Sequence, residues 1–322
     1  MKRQHQILAG ILAVQVVLSI FVFWPRAGAT AGGNPLFPDL EITDVVALAI
    51  MDADGETIVL REVDGDWVLP EADDYPADAS KIEPVVGKIL GLNSSRLVTR
   101  TAASHGRLQV SADGFVRRLD FETADGAKHT IYLGSSPSYG ATHFREEGRD
   151  ETYMTDQLTT YETSPEANSW IDTSYVKVAE DDIVRISLEN GNGSFDFTKD
   201  EDGNWTMAGL GSDETLDETQ VGNVVRRAAS LNMVAPLGKE ELDDYAMDQP
   251  NALVTLETAD GTTIVRVGAQ DPDDNSYVVA SSASEYYVRV SEFSVKDLVE
   301  STREDFLEEP PTPTPEDESA SS

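Results

Sequence analysis

Apolar positions along this chain change period in a set order, and then the order repeats. Val46, Leu48 and Ile50 alternate with their neighbours, as do Val184, Ile186 and Leu188, and a period of two predicts a half-buried strand. Asp54-Gly55 and Asp64-Gly65 then predict two-residue hairpin turns, because glycine takes a positive φ freely and aspartate tolerates one. Asn190–Gly193 and Asp202-Gly203 stand in the corresponding places. The period next lengthens to 3.6. Ile82, Val85, Val86, Ile89 and Leu90 make one stripe, which predicts a helix over 81–92 with a capping box at Ser80–Glu83 and Pro84 in the first turn. Residues 220–231 predict its counterpart. Beyond each helix, "RRLDFETADGAKHTIYLG" and "ALVTLETADGTTIVRVG" read as strand, turn, strand around the same pentapeptide.

The correspondence is more than periodic. Asp44–Trp67 aligns with Asp182–Trp205 without a gap, placing Gly55 on Gly193 and Trp67 on Trp205. Lys81–Leu92 follows on Gln220–Leu231, ETADG recurs at Glu122–Gly126 and Glu257–Gly261, and Gly134–Tyr153 falls on Gly268–Tyr287. Five blocks in one order imply a tandem duplication. The expected architecture is α+β: two similar modules, 41–178 and 179–308, each a curved sheet of antiparallel hairpins with one main helix on a face. Short turns between strands argue against a parallel α/β sheet.

The ends of the chain differ from its body. Ile7–Trp24 is an uncharged apolar stretch, preceded by Lys2 and Arg3. As a helix it spans about 27 Å, close to the ~30 Å hydrocarbon layer. Residues 1–25 are therefore expected to form an N-terminal transmembrane signal-anchor helix, with a cytoplasmic N-terminus and an extracytoplasmic body. The small residues Ala27–Ala31 leave open a cleaved signal instead. Residues 26–40 read as a flexible linker, and the acidic, proline-rich 309–322 as a disordered tail.

Charge and chemistry narrow the function. The formal net charge is −35, and beyond Trp24 there are 22 basic and 59 acidic residues, a balance that repels nucleic acid and anionic lipid headgroups. No cysteine is present, which removes thiol chemistry. Of four histidines, His5 flanks the apolar stretch, His129 lies in a strand and His143 matches Tyr277 of the second copy. Only His105, in the loop "TAASHGR", has an unconstrained setting, and no Ser, Asp or Glu stands near it in a hydrolase pattern. Asp52–Glu56 and Asp200–Asn204 resemble the start of calcium loops, but glycine follows the second acid and no glutamate closes a twelve-residue loop, so both read as turns. Trp67 and Trp205 read as core anchors. No catalytic, cofactor-binding or metal-binding residue is expected, and no enzyme.

The succession "DV…I…DG…W", helix, "ADG", together with "LVTRTAASHGRL", "SYGATHFRE" and "SWIDTSYV" (Ser169–Val176), resembles the DUF4340 family of bacterial proteins over roughly residues 36–308. Some members are encoded beside ABC-transporter permeases and gliding-type auxiliary components, so the resemblance implies an accessory role in a membrane complex. The expectation is a non-enzymatic, membrane-anchored extracytoplasmic protein that contacts an integral membrane protein, an ABC-type permease in particular. The alternative is an extracytoplasmic protein binding a small ligand or cell-wall glycan between its modules. A large pocket between modules favours the second; closely packed modules favour the first.

Overall fold

The computed structural model describes residues 33–308. The segment 1–25 read as an anchor, residues 26–32 of the linker and the tail 309–322 lie outside the described residues. The first half runs β1 (Val45–Asp52), β2 (Thr57–Val63), β3 (Asp66–Leu69), β4 (Tyr75–Pro76), α1 (Ala79–Leu90), β5 (Leu97–Thr99) and α2 (His105–Leu108). It continues through β6 (Val110–Ser111), β7 (Gly114–Phe115), β8 (Arg117–Thr123), β9 (Lys128–Leu133), β10 (Thr142–Glu146) and β11 (Thr152–Thr155). After β12 (Ser174–Lys177) come β13 (Ile183–Asn190), β14 (Gly193–Lys199), β15 (Trp205–Met207), α3 (Glu218–Ala229), β16 (Ser230–Asn232) and β17 (Ala235–Gly238). The last elements are β18 (Ala252–Thr258), β19 (Gly261–Gln270), β20 (Tyr277–Ser281), β21 (Tyr287–Val290) and α4 (Glu292–Glu300).

Two large sheets carry the molecule. Their strand orders are β4-β3-β2-β1-β8-β9-β10-β11-β5 and β15-β14-β13-β18-β19-β20-β21-β17. Apart from β4, the second order is the first repeated. The expected α+β class is corrected to mostly β: strands hold 40% of the structure and helices 21%. The physical reason is that antiparallel hairpins need only short turns, whereas the longest helices, α1 and α3, have 12 residues each. Among the described residues no helix is long and apolar enough to cross a membrane.

Two departures from the sequence pattern are instructive. β1 carries a bulge between Val45 and Ala47, and β13 one between Ile183 and Arg185. The extra residue turns Val45 and Ile183 into the core and leaves Val184 47% exposed, where simple alternation puts Val184 inside. The gap-free alignment also hides two compensating changes. In the first half β1 and β2 are joined across Asp52–Glu56, and Asp64-Gly65 is a tight two-residue turn with φ of 54° and 97°. In the second half the tight turn comes first, between Asn190 and Gly193, and the longer one, Asp200–Asn204, joins β14 to β15. β14 is therefore slipped one residue against the alignment. Phe195 and Phe197, not their neighbours, take the buried positions of Ile58 and Leu60.

Glycine is required at two matching places. A Cβ on Gly134 would lie 2.1 Å from the Leu108 carbonyl oxygen, and one on Gly268 2.1 Å from that of Tyr245. The linker ends earlier than expected. The Leu36 amide donates to the Leu92 carbonyl, and Phe37 is buried with its ring edge-on to Phe121 and His129.

The halves share one continuous apolar core. Between them β12 pairs with β16, and Tyr75 packs edge-on against Tyr286 at 4.8 Å. Asp73, held at φ 53°, accepts the Lys239 amide at 2.7 Å, so Gly238 beside it has no room for a side chain. The Tyr175 hydroxyl donates to the Tyr286 carbonyl at 2.6 Å and accepts from the Ser281 amide at 2.9 Å. Its burial there pushes the phenol up to about 12.

Candidate functional site

α1 and α3 start in the same way. The Asp78 carboxylate accepts the Ser80 amide at 2.9 Å, and the Asp217 carboxylate accepts the Thr219 and Gln220 amides at 2.9 and 3.2 Å. Each cap's own amide donates to the carbonyl of a buried aromatic: Asp78 to Trp170 at 2.7 Å, Asp217 to Phe306 at 2.9 Å. The capping box expected at Ser80–Glu83 is thus replaced by a cap two residues earlier. Pro84 becomes the sixth helical residue rather than part of the first turn. Having no N–H, it leaves the Ser80 carbonyl without its helical partner.

Against each helix lies the segment that follows the last strand pair of its sheet. In the second half this segment is α4, with Val295 and Leu298 fully buried and Asp297 paired to Arg227 at 3.3 Å. In the first half residues 156–166 form no helix. Two cations hold that coil in place, and a third, Lys81, anchors the chain just beyond it. The Lys81 ammonium donates to the Ile171 carbonyl at 2.5 Å, the Arg117 guanidinium to the Thr163 carbonyl at 2.9 Å, and Lys88 pairs with Glu162. Burial by itself raises the Glu162 carboxyl, but Lys88 and the Thr159 amide and hydroxyl outweigh it and hold the group below its ordinary value. The Trp170 indole N–H closes the coil on the Ser164 carbonyl at 2.8 Å.

A cleft opens between helix and segment in both halves, at matching positions. The second-half cleft encloses about 250 Å³ and is lined by Gln220, Asn223, Asp297, Glu300 and Phe306 among others. Its first-half counterpart encloses about 740 Å³, with Ser80, Lys81, Arg117, Tyr161, Asn168 and Trp170 on its walls. Tyr161 is 91% exposed at the rim. This wider cleft offers an aromatic face, hydroxyl and amide groups and the unused donors of Lys81 and Arg117. It can recognise a surface.

The residues singled out in the sequence are placed elsewhere. His105 is buried, not in a free loop, and its Nε2 lies 2.9 Å from the Asp150 carbonyl. His129 stacks on Phe121 at 4.8 Å. His143 is buried with Nδ1 3.2 Å from the Ser135 hydroxyl, and burial, aided by the Arg107 charge, pushes its imidazole down against the opposing Ser135 hydrogen bond. His5 lies outside the described residues. Asp52 accepts the amides of Asp54 and Glu56, and Asp200 those of Asp202 and Asn204, so both carboxylates fasten turns. The Asn204 amide foremost holds the Asp200 carboxyl below its ordinary value. No group of three or more His, Asp or Glu side chains among the described residues is placed to hold a metal ion. Trp67 is buried, whereas Trp205 is partly exposed with the Lys199 ammonium 5.1 Å from its ring centre. The cleft residues escaped the sequence reading because their cations were counted with a net charge. The proline inside α1 was the available signal.

The family profile described as a domain of unknown function, DUF4340, matches residues 67–250. The chain belongs to the DUF4340 family. The match runs from Trp67 at the start of β3 to Pro250 just before β18, and so takes in α1, the whole first-half cleft and α3. Comparison with curated proteins and with solved structures returns no match, so the cleft of this DUF4340 protein is interpreted from its own geometry.

Proposed function

We propose that this DUF4340 protein is a non-enzymatic accessory protein that works by contact with an integral membrane protein, with the wide first-half cleft as its recognition surface. The apolar segment Ile7–Trp24 would attach it to the membrane, with the body extracytoplasmic. The observation that supports this best is the enlargement of one of two matching clefts, about 740 Å³ against about 250 Å³, in a molecule whose halves pack on one core. An ABC-type permease is the partner class that the family resemblance implies. Attachment to the same membrane raises the effective concentration of such a partner toward the millimolar range, so weak contacts suffice. Full-length protein purified from native membranes in mild detergent is expected to bring down an ABC-type permease identifiable by mass spectrometry. Joint replacement of His105, His129 and His143 by Gln in protein that still folds should not change this. Turnover of a substrate by the purified protein, lost on changing His105, would replace this reading with an enzyme.

The second reading, a small ligand or cell-wall glycan, draws on the exposed Tyr161 ring beside Ser164, Asn168 and Ser169, a combination suited to sugar faces and hydroxyls. Each of the four main clefts lies within one half of the molecule, so such a ligand would sit in the first half and not between the halves. Calorimetric titration with soluble glycan fragments separates the readings: heat abolished by Tyr161→Ala supports the ligand.

A further inference from the structure

From Pro84 to Ala112 the chain has no aspartate or glutamate, although the protein carries 59 of them, and the same stretch holds Lys88, Arg96, Arg100 and Arg107. Its centre is β5, the outermost strand of the first sheet. Leu97 and Val98 in β5 are 39% and 40% exposed, and they are flanked by the exposed Arg96, which pairs with Asp156 at 3.3 Å, and the exposed Arg100. The matching edge strand of the second sheet, β17, is covered: the turn Pro70–Ala72 lies on it, and Asp73 takes the amide of Lys239 just beyond its end. Among the described residues no strand pairs with the outer edge of β5.

The chain also enters the fold at this edge. The Ser94 amide donates to the Asn34 carbonyl at 3.0 Å, Pro35 bridges to Asn93, and Gly33 lies so close to Ser95 that a Cβ would sit 2.0 Å from its nitrogen. Whatever precedes Gly33 therefore arrives beside the start of β5. Eight residues separate Gly33 from Trp24, the last of the apolar segment, and they span at most about 32 Å.

We propose that the β5 edge is the face by which this protein rests on the lipid surface, with Arg96, Arg100 and Arg107 on the phosphates of anionic headgroups and Leu97 and Val98 in the interfacial layer. This rests on the membrane attachment proposed above. The net charge of −35 does not oppose it. At physiological salt, charges more than about 8 Å from the headgroups are screened, so the charges at the edge itself decide the contact, with Arg96 exchanging Asp156 for a phosphate. The long arginine side chains reach the phosphates while their stems cover apolar surface.

Hydrogen exchange on the full-length protein tests this, in vesicles of phosphatidylcholine and in vesicles of phosphatidylcholine mixed equally with phosphatidylglycerol. Amides 95–101 are expected to gain protection on the mixed vesicles. The double variant Arg96→Glu, Arg100→Glu should lose about tenfold or more of that gain while keeping its melting temperature, and Leu97→Ser with Val98→Ser should lose part of it. Equal protection on both vesicle types, or none, overturns the proposal. So does protection that appears only when an acidic membrane protein is present, which would make the edge a strand-pairing site. Flotation is the separate control. Protein that floats with vesicles in every variant keeps the attachment and isolates the edge, whereas protein that never floats removes attachment and edge contact together.

Discussion

The coil at 156–166 and the helix α4 occupy corresponding places against α1 and α3, and they show how one scaffold position yields two surfaces. α4 has the composition of a short amphipathic helix, with Val295 and Leu298 on its buried face and Lys296 and Glu300 outside. The coil contains Thr159, Thr160 and Thr163 and then Pro165, residues that disfavour helix or end it. Without helical hydrogen bonds its carbonyls need other donors, and Arg117 and the Trp170 indole supply two of them. A coil held at separate points fills less of the space against its helix than the packed α4 does, leaving about 740 Å³ against about 250 Å³. The wider cleft is the result. Pairing survives the change, since Lys88–Glu162 and Arg227–Asp297 do the same work on either side.

The largest expected effect tests whether Trp170 and Phe306 are equivalent plugs. Alanine at either should cost about 3–5 kcal/mol, read from denaturant unfolding of the whole chain. Trp170→Ala should be the more costly, because it also strands the Ser164 carbonyl. Near-neutral behaviour of one of the two would break the comparison. Next comes the helix pair. Asn223→Pro, which places in α3 the residue that α1 carries at Pro84, should cost about 3 kcal/mol, while Pro84→Ala should stabilise by about 1 kcal/mol. The smallest effect is electrostatic. Glu162→Gln should cost about 0.5–1 kcal/mol at pH 7, since the pair with Lys88 is about one-third exposed. Because the folded state lowers this carboxyl from its usual value of 4.5, its contribution is complete above that pH and disappears as the pH falls through the folded value. The gap between Glu162→Gln and the unchanged chain should therefore narrow as the pH falls below 4.5, measured by melting temperature.

Much of the element pattern was legible in the sequence, and the misses have local causes. The stripe Ile82 to Leu90 marked α1, and the ETADG pentapeptide falls at the hairpins β8–β9 and β18–β19. The cap at Asp78 was missed because Ser80 with Glu83 mimics a capping box, while the carboxylate two residues earlier accepts the Ser80 amide. Val46 and Val184 were misassigned because a bulge adds a residue without altering composition. The slip of β14 was hidden by two turn-length changes that cancel over the block. The cleft was not legible at all: it depends on which carbonyls Lys81 and Arg117 reach across 90 and 46 residues of chain. The emphasis on His105 shows the converse error, a loop residue that the fold buries.

The central claim is that the first-half cleft recognises a partner and the second-half groove does not. Positions 161 and 296 line the two clefts at corresponding places, so a photocrosslinking residue at each, in full-length protein in native membranes, compares them directly. The account predicts a crosslink to one integral membrane protein from position 161, and none to it from position 296. Equal labelling from both positions, or labelling from 296 alone, would contradict it.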